Sequence, residues 1–267
     1  MRCACVLAIG GLDPGGGAGI AADLRGVAAA GAFGCAVVAV ITVQSTSGLR
    51  SAKAIGAKDV LAQAREVMRH QRVRAIKTGA LGSEANVRAV GEFLSRHPDV
   101  PAIVDPVMTP TRGRGRLLAE RALGAARAAL LPRATLVTAN VPEAEALTGK
   151  RVASVGEAHD AALALCKLGA RAAIVKGGHL GGLQAIDVLA IAGEASVIEL
   201  RAKRLRLPPI HGGGCTFAAL VAGRLAADER AFDTTALLDA IRWSKRAHHR
   251  ALASARDVGG DMRVLVP

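Results

Sequence analysis

A chain of 267 residues, 51% apolar and only 2% aromatic, can bury a large aliphatic core and is too apolar to remain disordered. Its 35 basic against 22 acidic residues give a formal charge of +13, but four Phe and one Trp are too few to stack nucleic-acid bases, so an anionic small substrate is the better match. Five scattered cysteines without CxxC spacing exclude a disulfide framework and a zinc site, and no apolar run is clean enough to span a bilayer; a soluble cytoplasmic protein without nucleic-acid or membrane partners is expected.

The chain opens on "CACVLAI" (3–9), an apolar run of strand length, after which Ile20, Leu24, Val27 and Gly31 recur at helical spacing. A second strand is expected over 35–43 and a helix over 60–68. Further strands are expected over 73–79, 102–107, 134–140 and 171–178, with helical stretches near 84–96, 117–130 and 155–168. Residues 185–202 read as a hairpin, and long helices near 214–228 and 233–254 close the chain. Such alternation predicts an α/β fold, a mostly parallel sheet with helices on both faces. One domain over 1–267 is expected, with an accessory strand pair near 35–56.

Ligands of such sheets sit beyond the carboxyl ends of the strands. The residues there are polar or glycine: Gly10-Gly11, Gln44, Lys77, Asp105, Asn140 and Lys176. "GGLDPGGGAGIAADL" (10–24) contains a G-x-G-x-x-A, but a dinucleotide fold needs an acid where Gln44 stands. No Walker loop occurs either. The loop, with Asp23 one turn further on, suits a small polar substrate; the plainer alternative is helix packing with a solvated Asp23. Asp105, Asn140 and Glu143 are oxygen donors of the kind that Mg²⁺ held through water and substrate phosphates requires, although Glu143 could serve only the helix dipole. Lys176, followed by Gly177 and Gly178, puts an ammonium at a strand end. Gly212, Gly213, Gly214 and Cys215 open a helix and offer unpaired backbone N–H groups, an anion cradle. A thiol there is expected to have a lowered pKa and to serve as base or polar contact. A cysteine nucleophile partnered by His211 or His179, and a plain glycine turn, stay open beside it.

In order, "GGLDPGGGAGIAADLR" (10–25), "VQSTSGL" (43–49), "KTGAL" (77–81), "DPVM" (105–108), "TANVPEA" (138–144), "KGGH" (176–179) and "HGGGCT" (211–216) resemble the motifs of the phosphomethylpyrimidine kinase family, within the ribokinase-like superfamily. The resemblance implies a ribokinase-like fold and ATP- and Mg²⁺-dependent phosphorylation of 4-amino-5-hydroxymethyl-2-methylpyrimidine, its monophosphate, or both, in thiamine biosynthesis. It implies a pyrimidine pocket of Gly11, Asp23, Gln44, Ala80 and Val107 with Cys215. Asp105, Asn140 and Glu143 would organise Mg²⁺; Lys176, Gly177 and Gly178 would meet ATP; residues 212–215 would form the anion hole. A homodimer is expected. Leu207–Ile210 replace the family's polar T-K-N-T, and Leu12 and Gly15 stand where it has serines. A Cys-type pyridoxal kinase and a pyrimidine-binding protein with impaired kinase activity are the alternatives.

Overall fold

The computed structural model describes residues 3–113, 117–118 and 122–267. Successive strand residues point to opposite faces of a pleat, and here both faces are covered, which is why the strands are apolar without alternation. Leu7, Ile76, Val104, Val137 and Val175 face one core, while their neighbours Val6, Ala75, Ile103, Leu136 and Ile174 face the other.

The strands β1 (Cys5–Leu12), β2 (Phe33–Ser45), β3 (Gly48–Ala54), β4 (Val73–Thr78), β5 (Ala102–Val104), β6 (Leu136–Asn140), β7 (Ala172–Lys176), β8 (Gln184–Ile191) and β9 (Val197–Lys203) form one sheet in the order β3-β2-β1-β4-β5-β6-β7-β8-β9. The run from β2 to β7 is parallel; β3 pairs antiparallel with β2, and β8 with both β7 and β9. The accessory pair near 35–56 and the hairpin over 185–202 are therefore both present. A short parallel pair, β10 (Ile210–His211) with β11 (Arg263–Val264), lies apart.

The helices α1 (Gly19–Ala29), α7 (Gly213–Ala227) and α8 (Thr234–Ala253) supply the second core; α2 (Ala57–His70), α3 (Glu84–Ser95), α5 (Val141–Thr148) and α6 (Val155–Lys167) supply the first. Ser83, Ser154 and Asp233 cap their helices by accepting a backbone N–H with the side-chain oxygen. The helix expected near 117–130 begins later. Leu117 and Leu118 are not helical, because both N–H groups bond to the Met108 carbonyl. Its residues 119–121 lie outside the described part. From Leu123 the segment runs as a short α4 (Leu123–Ala125), π-helical turns over Ala126–Leu130 and a 3-10 turn to Arg133. No helix among the described residues is long and apolar enough to cross a membrane.

Candidate active site

The chain leaves β1 for β2 on one side and later fills the other side with β4. The carboxyl ends of β1 and β4 thus flank the crevice that such a change of direction opens. A cavity of about 760 Å³, part of it open to solvent, occupies this place. Gly11, Gln44, Ala80 and Val107 line it, as do Asp23, Asp105, Asn140, Glu143, Lys176 and the start of α7 from Gly212 to Cys215.

Its floor is charged. Asp23 does not face solvent: α1 turns it inward, where both carboxylate oxygens meet Lys77 Nζ, at 2.8 and 2.9 Å, with neither side chain more than 1% exposed. Burial pushes the Asp23 carboxyl up to about 6 against the attraction of Lys77. Burial would lower the Lys77 pKa, but Asp23 foremost, with Cys215 and Asp105, raises it. The pair is ionised at neutral pH. Lys77 stands at a strand end in the sequence, yet nothing there couples it to a residue 54 positions away.

Asp105 Oδ1 accepts from Thr138 Oγ1 at 3.1 Å and from Lys176 Nζ at 3.2 Å, while its Oδ2 is buried without a partner. Burial would lower the Lys176 pKa, but the carboxylates of Asp105 and Glu143 raise it. Asn140 and Glu143 form a capping box at the start of α5: Asn140 Oδ1 accepts from the Glu143 N–H, and Glu143 Oε2 from the Asn140 N–H. The Asn140 oxygen is thus already used. Burial pushes the Glu143 carboxyl up to about 7, against the pull of Lys176.

Helix α7 has no side-chain cap. The N–H groups of its first turn have no intrahelical acceptor and line the cavity. Within residues 212–215 only Gly212 has a left-handed backbone (φ 77°), and a Cβ there would collide with Gly17 and Ala18. Gly213 is held from behind by His248, whose Nε2 donates to its carbonyl at 2.9 Å; burial lowers the His248 pKa to about 4, so the ring is neutral. The lowered thiol pKa expected for Cys215 is not found. Burial pushes it up to about 12, outweighing the nearby Lys77 ammonium. Neither histidine activates it: His211 is bonded to Asp13, and His179 lies outside the cavity lining.

Gly177 and Gly178 also lie outside that lining. Gly177 is required by packing, since a Cβ would strike the Ile186 carbonyl, and its N–H donates to Asp187. Arg204 holds the following loop by donating to the carbonyls of Gly177, Gly178, Gly181, Gly182 and Gln184. Sequence reasoning gave Asp13 and His248 no place in the site, weighed His211 only as the partner of a cysteine nucleophile, and had Lys77 only as a strand-end residue without a partner.

Known structures with this architecture define the class. The chain resembles the Bacillus subtilis pyridoxal kinase solved as an ADP complex with a TM-score of 0.87 and 28% identity, over 99% of this chain and 97% of that one. It resembles the Clostridium difficile phosphomethylpyrimidine kinase with a TM-score of 0.77 and 30% identity, over 93% and 99%. This is a phosphotransferase with the ribokinase-like fold. Residues 13–264 match the family described as phosphomethylpyrimidine kinase. The hydroxymethylpyrimidine/phosphomethylpyrimidine kinase of Streptomyces coelicolor is 43% identical over 221 residues, 83% of this chain and 80% of that one. The chain belongs to the phosphomethylpyrimidine kinase family.

Proposed function

We propose that the protein transfers the γ-phosphoryl group of ATP to 4-amino-5-hydroxymethyl-2-methylpyrimidine, its monophosphate, or both, as a step of thiamine biosynthesis. One observation carries this reading: the uncapped start of α7 and Gln44 line the same cavity, so a phosphate at residues 212–215 and a ring at Gln44 can be held together. The names of the relatives supply the substrate.

In this reading Gln44 pairs with the ring edge, and Gly11, Ala80 and Val107 form the walls. Asp23 acts through Lys77, whose ammonium it holds at the cavity floor. Lys176 meets the ATP phosphates. Gly177 and Gly178 shape the loop, and Gly178 borders a second pocket with Leu207 and His249 into which the nucleotide would extend. For Mg²⁺, the partnerless Asp105 Oδ2 and the buried Glu143 are suitable donors for its water shell, and Asn140 orients Glu143. Bound there, the ion would neutralise phosphate charge. The substrate oxygen forms a bond to phosphorus as the bond to ADP breaks, and the hydroxyl proton leaves to solvent. A loose transition state needs little prior deprotonation, so a neutral Cys215 serves as a contact and not as a base.

We further propose a single domain over 1–267, supported by the continuous sheet, and a homodimer, supported by the exposed apolar Ile41 and Val43 on β2. Five unpaired cysteines support a reducing, cytoplasmic setting. Pyridoxal phosphorylation is the second reading, favoured by the likeness to pyridoxal kinases. Coupled ADP-release assays with the pyrimidine, its phosphate and pyridoxal separate the readings. Turnover of pyridoxal alone would refute the first, and no turnover of any would refute both.

A further inference from the structure

The first N–H groups of α7 have no acceptor within the helix, and no side chain caps them, so their aim depends on what holds the peptide units from outside. A trans peptide is planar, and its C=O and N–H point in opposite directions. Whatever holds the Gly213 carbonyl therefore also aims the N–H of Gly214, which belongs to the same peptide unit. His248 on α8 supplies that hold: its Nε2 lies 2.9 Å from the Gly213 oxygen, and the ring is not part of the cavity lining. A carbonyl only accepts, so the hydrogen sits on Nε2. Gly214 itself lines the cavity, where a Cβ would lie 3.2 Å from Lys176 Nζ and 3.9 Å from Asp105 Oδ2. Gly212, Gly213 and Gly214 carry no side chain that could restrict this turn, so an external hold counts for more here than in the helix interior.

His248 is held in turn. One turn earlier on α8, Lys245 Nζ donates to Asp187 Oδ2 at 2.6 Å, and Asp187 Oδ1 accepts the Gly177 N–H at 3.0 Å. The Phe217 ring of α7 meets the imidazole edge-on, with centroids 5.7 Å apart. We infer that His248 is a positioning residue of phosphoryl transfer, whose bond to the Gly213 carbonyl aims the Gly214 N–H at the place of the transferring phosphoryl group. This rests on residues 212–215 as the anion cradle proposed above. A hydrogen bond accepted by the carbonyl also polarises the peptide and strengthens its N–H as a donor. Backbone donors stabilise a transition state to the extent that they are aimed before charge develops, so the effect falls on kcat and not on binding of the pyrimidine. The ring is neutral, burial lowering its pKa to about 4, so a neutral amide of the same reach can take its place.

The test compares the full chain with H248Q and H248L in coupled ADP-release assays, with thermal melts alongside. The substrate is 4-amino-5-hydroxymethyl-2-methylpyrimidine, or pyridoxal if the wild type turns over that instead. Glutamine carries an N–H to about the reach of Nε2, whereas leucine has none to give. H248L should lose about tenfold in kcat with the KM for the substrate within about threefold of wild type, and H248Q should recover most of the loss. Equal kcat in all three proteins, or equal loss in both variants, overturns the inference. His248 also borders the second pocket, so a raised KM for ATP with unchanged kcat would make it a nucleotide contact instead. Gly214→Val separates this result from the reading beneath it. If that variant keeps full kcat, there is no cradle and both fall; if it loses kcat while H248L does not, only the role of His248 falls. Added to Gly214→Val, H248L should cost less than about threefold, because the donor it aims is already blocked, and a further tenfold loss would count against it. Nitrogen NMR of the unaltered protein gives a check that no variant can spoil by misfolding: a His248 Nε2 without hydrogen would overturn the inference.

Discussion

Replacing Gly214 by valine tests whether the start of α7 cradles the transferring phosphoryl group. Gly214 lies inside α7, and its φ is not positive, so valine meets no backbone strain. The obstruction is in the cavity. A Cβ at this position would lie 3.2 Å from Lys176 Nζ and 3.9 Å from Asp105 Oδ2, and the two γ-methyl groups would extend into the space a phosphate needs. Closing access to one backbone donor of this kind costs about a hundredfold to a thousandfold in kcat, or about 2.7–4 kcal/mol, and displacement of Lys176 adds to that. Stability should change by less than about 1 kcal/mol, because only the flexible end of a lysine has to move. Cys215→Ser is the comparison. The half-buried thiol, pushed up to about 12, is neutral at working pH, so a neutral hydroxyl should keep kcat within about tenfold. Steady-state kinetics and thermal melts of both variants give the answer. Background turnover in Cys215→Ser with an active Gly214→Val would refute the cradle and restore a cysteine nucleophile. Parallel loss of folding and turnover in Gly214→Val would reduce the loop to a turn.

Lys77→Met should destabilise the protein by about 3–5 kcal/mol at pH 7, since it leaves the Asp23 carboxyl buried without its partner, either as an unpaired charge or forced to take up a proton; the double variant with Asp23→Leu should recover most of this. Asp23 already has a raised pKa of about 6, and losing Lys77 raises it further, so the deficit of Lys77→Met relative to wild type should shrink as pH falls from the variant's higher pKa toward 6, where the carboxyl is neutral in the variant but still charged in the wild type, and should stay level below 6. Urea titrations across pH check both statements, and equal losses in the single and double variants would contradict them. Glu143, pushed up to about 7, is neutral below that pH and charged above it, so the KM for Mg²⁺-ATP should fall as pH rises through 7, and Glu143→Gln should flatten the profile. Asn140→Ala removes the α5 cap and should cost about 1 kcal/mol by denaturant titration, whatever its effect on activity. Sedimentation velocity should report two chains, with Val43→Glu shifting the protein toward one; a wild-type monomer would end the homodimer proposal.

Much of this molecule is legible along the chain, because the signals are local. Apolar runs of strand length are read as strands since both faces of the sheet are buried, and glycines ahead of an alanine-rich helix are read as an anion cradle since the first N–H groups of any helix lack partners. Gln44, Asp105, Asn140 and Lys176 are recognisable by standing where strands end. What the sequence could not decide depends on distance between elements. Whether Asp23 is solvated or buried turns on its meeting with Lys77, 54 residues on, which needs α1 packed over β1 and β4 paired beside β1. The Cys215 thiol follows the same rule: a helix N-terminus favours a thiolate, but only the assembled cavity determines how much water reaches the sulfur, and here burial prevails. The bond from His211 to Asp13 joins residues 198 positions apart, and no local pattern encodes it. Motif and periodicity assign chemistry to positions, whereas desolvation and hydrogen-bond direction exist only between side chains that the tertiary fold brings into contact.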